Sequence, residues 1–196
     1  MALSKPVTWR VPAPVASLVV NPDSTTQVRA ATEDDLGLLP AIQLAAGAAF
    51  RAVGMAAAAD SEPLSVPALA AYQEAGHAWV AATDHDVPIG FIVVDVIDDH
   101  AHIEQVSVHP DHARRGIGGL LINYVDRWAA GQGIDALTLS TFRAVPWNGP
   151  YYARLGFRDM APAEITAGLA ALLNDEVEHG IDPDARVCMY RATTAP

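Results

Sequence analysis

The sequence predicts an α+β fold in which helices flank a mixed, mostly antiparallel sheet, and two passages of the chain support this prediction. Three strand-like runs, at 78–83, 89–97 and 102–108, follow one another across short turns, which is typical of an antiparallel meander. An amphipathic helix over 117–130 then leads into a further strand over 136–142, which makes the sheet mixed. The 51% apolar content of the 196 residues is enough to form a substantial core.

The chain divides into an N-terminal extension, residues 1–26, and a single domain, residues 27–196. The extension is rich in Pro, Ser and Thr around one short apolar run, which suits an edge strand before the turn at 21–24. Fewer than 200 residues favour one domain with an extension over two domains.

Caps and helix breakers predict the helices. Thr32 can cap a helix whose residue Asp35 reaches back to it, and Pro40 predicts a kink or a late start within that helix. Residues 54–62 are predicted to be a connection. The other predicted elements are a strand at 28–30, helices near 67–75 and after Asn148, a strand at 157–160, a helix at 164–177 and a strand at 186–192.

Charge excludes several classes of partner. The chain has 12 basic and 23 acidic side chains, a formal net charge of −11. Nucleic acids and anionic membranes need a positive surface, so neither is expected as a partner. A negative field attracts cations, so the charge permits a cationic substrate.

The single cysteine, Cys188, excludes an intrachain disulfide and favours a cytoplasmic location. No window approaches 18 uninterrupted apolar residues, so no transmembrane helix is expected. The N-terminus lacks the continuous apolar core of a signal peptide.

The segment 106–121 contains the residues of the chain that most strongly indicate a binding site. It runs from a strand through a Pro-containing turn to Arg114, Arg115 and three glycines at the start of the amphipathic helix. Backbone N–H groups at a helix start have no helical partners and lie in the positive field of the helix, so they suit a pyrophosphate. The same glycines would also suit a tight turn that packs against the sheet. The spacing matches neither a nucleotide P-loop nor a GxGxxG fingerprint.

Two passages together resemble the GNAT superfamily of N-acetyltransferases. Residues 113–118, Ala-Arg-Arg-Gly-Ile-Gly, match its pattern Q/R-x-x-G-x-G/A except at Ala113. Residues 152–157 match its Y-x-x-x-G-F element, and the resemblance covers roughly residues 28–160. It implies a twisted sheet splayed between the strands ending at Val108 and Phe142, and a domain that spans 27–196.

The resemblance also implies the reaction and its residues. The acetyl group of acetyl-CoA would pass directly to a primary amine of a small molecule or peptide, and Tyr152 would protonate the departing thiolate. Asn148 would contact CoA or only cap its helix. The residues implied to bind the cofactor are Val106, Ser107, Val108, Arg114, Arg115, Gly116, Ile117, Gly118, Gly119 and Asn148.

A base is also needed, because a protonated amine is not a nucleophile. His100, His102 and Glu104 alternate, so they are predicted to share one strand face, which Val106 and Val108 would continue. Glu104 is the first candidate base and His102 the second. A polar edge on a solvated face would explain the same residues. Three ligands two residues apart on one strand rarely converge on an ion, so no metal site is predicted.

Several alternatives stay open at this point. Phe142, Trp147 and Tyr151 would form an aromatic wall beside the acyl group or pack in the core. The domain would be an acetyltransferase, an acetyl-CoA sensor without catalysis, or an acyltransferase with a longer donor. The acceptor is expected to be a small-molecule or peptide amine, and a homodimer is compatible with the resemblance.

Overall fold

The computed structural model describes residues 18–19, 26–178 and 181–194. These residues form one eight-stranded sheet in the order β1-β2-β3-β4-β5-β6-β8-β7. The strands are β1 Leu18–Val19, β2 Gln27–Ala30, β3 Ala78–Ala82, β4 Pro88–Ile97, β5 His100–Val108, β6 Ala136–Phe142, β7 Arg158–Asp159 and β8 Arg186–Ala192.

The sheet is mixed, as the sequence predicts. β5 and β6 run parallel, and every other neighbouring pair is antiparallel. The helix α5 connects the parallel pair, which is the usual way to join parallel strands. The edge strand expected in the N-terminal extension is β1, whereas the turn expected at 21–24 lies outside the described residues.

The described part of the chain contains seven α-helices. They are α1 Glu33–Leu36, α2 Leu39–Gly47, α3 Ala56–Ala59, α4 Val66–Glu74, α5 Ile117–Gly131, α6 Gly149–Arg154 and α7 Ala167–Glu178. Short 3-10 turns lie at Ala48–Val53, Pro110–His112, Pro162–Glu164 and Pro183–Ala185.

The break between α1 and α2 confirms the interruption expected near Pro40, which lies in the first turn of α2. The Asp35 carboxylate accepts hydrogen bonds from the Thr32 N–H at 2.7 Å and from the Arg29 guanidinium at 2.7 Å. By length and composition the stretch 33–53 could cross a membrane. Here it is divided into α1, α2 and a 3-10 turn, and α2 packs on β4 and β5.

Two predicted element bounds are wrong. The connection expected over 54–62 contains α3, an all-Ala turn of helix. The helix expected from Glu164 begins at Ala167, because Glu164 closes a separate 3-10 turn. Its carboxylate accepts from the Ala161 N–H at 2.8 Å and from the Arg158 guanidinium at 2.7 Å.

The core has one layer on each face of the sheet. On one face α5 packs its apolar side, including Leu121, Ile122 and Val125, against β4, β5 and β6. On the other face α1, α2 and α4 cover Phe91 and Val93. The predicted amphipathic helix is therefore confirmed as α5.

Candidate active site

A cleft opens where β5 and β6 part. The two strands pair only through Ala101, His102 and Ile103, whose register partners are Leu137, Thr138 and Leu139. Beyond that point β6 stays paired with β8 as far as Phe142, while β5 stays paired with β4. The strands therefore splay, as expected, and a cleft of about 860 Å³ lies over the opening.

The diverging half of β5 offers an unpaired backbone edge. The Ser107 carbonyl points toward β4, since a Cβ on Gly90 would be 2.9 Å from it, and the His109 N–H bonds the Ile89 carbonyl at 2.8 Å. Backbone groups alternate sides along a strand, so Val106 and Val108 direct theirs to the opening. The edge suits an extended, amide-bearing chain.

The turn between β5 and α5 forms a cradle of backbone N–H groups, residues 114–119. Arg114 and Gly116 are left-handed, with φ of 60° and 80°, and the first helical hydrogen bond runs from the Leu120 N–H to the Gly116 carbonyl. The N–H groups before Leu120 therefore have no helical partner and suit an anion. The Ile117 side chain is buried in the core, so only its backbone belongs to the cradle.

Arg114 and Arg115 lie at the start of this cradle. The Arg115 guanidinium donates to the Asp111 carbonyl at 3.1 Å, which fixes the arginine side chain to the turn. Ser107 differs from its neighbours: its side chain is buried and its hydroxyl accepts from the Gln105 amide at 2.8 Å. The Ser107 backbone pairs with β4 rather than facing the open edge, and the residue also lines the cleft.

Tyr152 lines the cleft from α6. Its N–H bonds the Asn148 carbonyl at 2.9 Å, and its ring meets the edges of Tyr151 and Phe157 at centroid distances of 5.5 and 5.9 Å. Burial, and then the neighbouring Tyr151, raise the pKa of the Tyr152 hydroxyl. The hydroxyl is therefore protonated at neutral pH and can donate.

Asn148 occupies the N-cap position of α6, but its side chain makes no capping hydrogen bond. Instead its amide donates to the Thr141 hydroxyl at 2.8 Å. The interpretation of Asn148 as a side-chain cap is thus wrong, because β6 offers it an acceptor. The contact ties α6 to the wall of the cleft, which Asn148 also lines.

The two candidate bases have different surroundings. His102 is 1% exposed and its Nδ1 lies 3.0 Å from the Thr138 hydroxyl. Burial, and then the charge of Arg186, lower the pKa of His102 to about 4. Such an imidazole is a weak base at neutral pH.

Glu104 lies in the cleft and reaches solvent there. Partial burial of its carboxyl, followed by repulsion from Asp95 and Glu176, raises its pKa above the usual carboxyl range. A base whose pKa is moved toward neutrality is better matched to proton transfer at neutral pH. The environment therefore favours Glu104 over His102.

A β-bulge at Glu104 corrects one prediction. Val94 pairs with Ile103 and Val93 with Gln105, so Glu104 is the extra residue. Side-chain alternation shifts there. Val106 and Val108 pack against the α5 core and do not continue the face of His102. The alternation of side chains in the sequence could not reveal this shift, because that prediction assumes a strand without a bulge.

The aromatic wall has a different membership from the one predicted. Phe142 and Trp147 do meet in the cleft, but through Phe50, at centroid distances of 5.4 and 5.9 Å. Tyr151 instead lies at the start of α5. No sequence pattern marks Phe50 as part of the wall, because it lies about 90 residues before the other two rings.

The pair of Glu176 and Arg186 was not predicted from the sequence either. Arg186 Nε lies 3.0 Å from a Glu176 carboxylate oxygen, and its guanidinium lies 4.8 Å from the centre of the Phe142 ring. Glu176 also accepts from the Ser140 hydroxyl at 3.1 Å. These contacts join α7 and β8 to β6, and both charged side chains line the cleft.

Cys188 is buried in β8, and burial raises the pKa of its thiol to about 11, which fits a packing role. Across the described residues, no group of three or more His, Cys, Asp and Glu side chains could hold a metal ion.

A sequence profile of the acetyltransferase (GNAT) family matches residues 47–157. This range is more than half of the 196 residues and includes the splayed strands, the cradle and Tyr152. The chain belongs to the GNAT acetyltransferase family.

Solved structures of GNAT acetyltransferases share the fold. The ribosomal-protein-S18-alanine N-acetyltransferase of Escherichia coli aligns with a TM-score of 0.60 and 16% identity, covering 87% of this chain and 96% of that one. PaiA N-acetyltransferase of Thermoplasma acidophilum, in complex with coenzyme A, aligns with a TM-score of 0.61 and 16% identity. The alignment covers 85% of this chain and 98% of that one. N-acetylglutamate synthase of Neisseria gonorrhoeae, in complex with coenzyme A and N-acetylglutamate, aligns with a TM-score of 0.65 and 16% identity. The alignment covers 88% of this chain and 36% of that one. At these identities the likeness shows the fold alone.

Proposed function

We propose that this GNAT protein transfers the acetyl group of acetyl-CoA directly to a primary amine. The observation that carries the proposal is the geometry of one cleft. An open strand edge at Val106 and Val108 and the hydroxyl-bearing Tyr152 lie at the splay, and the cradle of unpaired N–H groups at 114–119 follows the end of that strand.

The residues present fit acetyl-CoA as the co-substrate. The cofactor carries a pyrophosphate, which needs the N–H donors and positive field that the start of α5 supplies. Its pantetheine arm carries amides, which can pair with the free edge of β5. Val106, Val108 and residues 114–119 would hold it. Similar solved structures in complex with coenzyme A support CoA as the ligand.

When bound, acetyl-CoA supplies a thioester whose carbonyl carbon accepts the amine. Glu104 takes a proton from the incoming ammonium group, directly or through water, and so frees the nitrogen lone pair. Tyr152 donates its hydroxyl proton to the sulfur as the C–S bond breaks, since the leaving group gains negative charge there. The His102 imidazole stays neutral and holds β5 to β6.

The charge of the cleft favours a cationic acceptor, a small-molecule or peptide amine. Its charged lining residues are five carboxylates and one guanidinium: Glu62, Glu104, Asp175, Glu176, Asp182 and Arg186. Because these carboxylates outnumber the single guanidinium of the lining, the cleft has a negative potential. Cytoplasmic location and the absence of a metal ion stay predictions of the sequence.

Incubation with acetyl-CoA and a panel of amines, with free thiol measured, tests the proposal. The panel pairs diamines and amino-acid esters with carboxylated amines of similar size. Thiol release that depends on cationic amines supports it. Binding of CoA without turnover on any amine would favour a sensor, faster turnover with propionyl-CoA or butyryl-CoA would favour a longer donor, and preference for carboxylated amines would contradict the acceptor class.

A further inference from the structure

The Tyr151 hydroxyl lies over the start of α5, within the cradle. A Cβ on Gly118 would be 2.8 Å from this oxygen and a Cβ on Gly119 would be 3.7 Å from it. Gly118 therefore keeps room for the Tyr151 hydroxyl, and a methyl group at that position would take its place.

A neutral tyrosine hydroxyl has one proton to donate. Burial raises the pKa of Tyr151, so this proton is present at neutral pH. In the part of the chain that the structure describes, no protein acceptor receives it. The ring is fixed by its contacts with Tyr152 and Arg154, so the hydroxyl is held among donors suited to an anion.

We propose that Tyr151 is a further residue of the cofactor site, whose hydroxyl donates a hydrogen bond to a pyrophosphate oxygen of acetyl-CoA. The inference rests on the proposed function for the identity of the ligand. The two adjacent tyrosines then have different roles: Tyr151 binds the pyrophosphate of the cofactor, and Tyr152 donates a proton to its sulfur.

Calorimetric titration of wild type and Tyr151→Phe with CoA and with dephospho-CoA tests the inference. Loss of one hydrogen bond to a charged acceptor should raise both Kd values about fivefold to twentyfold. Tyr190→Phe, which removes a hydroxyl on β8, should change neither. Unchanged or tighter binding by Tyr151→Phe would overturn the inference, and so would weaker binding of CoA alone, because the 3′-phosphate would then be the partner.

A second variant keeps the test independent of a single substitution. Gly118→Ala should weaken CoA binding in wild type but add little in a Tyr151→Phe background, since both changes remove the same hydroxyl from the cradle. Fully additive effects would overturn the inference. Turnover plays no part in these measurements, so a wild type that binds CoA without acetylating amines contradicts the proposed function alone.

Discussion

His102 and Thr138 are register partners on β5 and β6, and their side chains lie 3.0 Å apart where the two strands are about to separate. The contact is buried, with both residues at most 1% exposed. It closes the apex of the splay with a hydrogen bond between neutral groups. His102 thus belongs to the architecture of the cleft, and Glu104 remains the residue that we propose as the base.

Acid should destabilise the protein through His102. Its pKa is about 4 in the folded protein against 6.5 ordinarily, so the unfolded chain binds the proton more strongly. The contribution of this group to the free energy of unfolding is therefore fully present above pH 6.5. It is lost as the pH falls toward 4, by on the order of 3 kcal/mol. Urea unfolding at a series of pH values measures the slope, and His102→Gln should reduce it. An equal slope in the variant would show that the histidine does not titrate on unfolding.

Glu104→Gln should abolish the acidic limb of the pH–rate profile. The carboxylate must be ionised to accept a proton, and its raised pKa places that limb above the usual carboxyl range in wild type. We expect kcat to fall about 100-fold while the Kd of CoA is unchanged. Glu74→Gln, on the exposed side of α4, is the matched control. A variant that keeps the wild-type profile would remove Glu104 as the base.

Tyr152→Phe should lower kcat for acetyl transfer by about 100-fold and leave the affinity for CoA nearly intact. The hydroxyl proton is needed only as the thiolate departs, and the ring contacts with Tyr151 and Phe157 survive the substitution. Single-turnover thiol release and calorimetry separate the two effects. Equal turnover by wild type and variant would assign the proton to water.

Gly149→Ala should destabilise the protein and displace α6. A Cβ there would be 2.6 Å from the Arg143 carbonyl oxygen, a backbone atom that cannot move alone. We expect a loss of about 1–3 kcal/mol, seen as a lower Tm, together with reduced kcat. Gly131→Ala, where a Cβ meets no atom within 4 Å, should be neutral or slightly stabilising. Similar Tm values for the two variants would contradict the packing at Gly149.

Local patterns were sufficient for most of the fold. The meander, α5, and the strands β6 and β8 follow from alternation and helical periodicity, and β6 and β8 have the predicted bounds. The apolar face of α5 can be predicted from its sequence, because apolar residues three and four positions apart lie on the same side of a helix. The glycines at the start of α5 indicated the cradle, and the family resemblance supplied the role of Tyr152; both lie in contiguous motifs.

Contacts between distant segments were not predictable from these patterns. The bulge at Glu104 depends on the register with β4, so it changes side-chain direction without a sequence mark. The fold brings Phe50 into contact with Phe142, which is far from it in the sequence. The Asn148 side chain bonds the Thr141 hydroxyl instead of capping its own helix. The Tyr151 contact with Gly118 joins two motifs that were interpreted separately.

The most direct test of the central claim is the mass balance of a reaction with isotopically labelled acetyl-CoA and a diamine. Thiol is measured against the labelled amine product by mass spectrometry, and the intact mass of the protein is recorded. Direct transfer in the splay predicts one acetylated amine for each thiol released and no mass change in the protein. Thiol release without labelled amine, or a labelled protein that passes the acetyl group on, would contradict it.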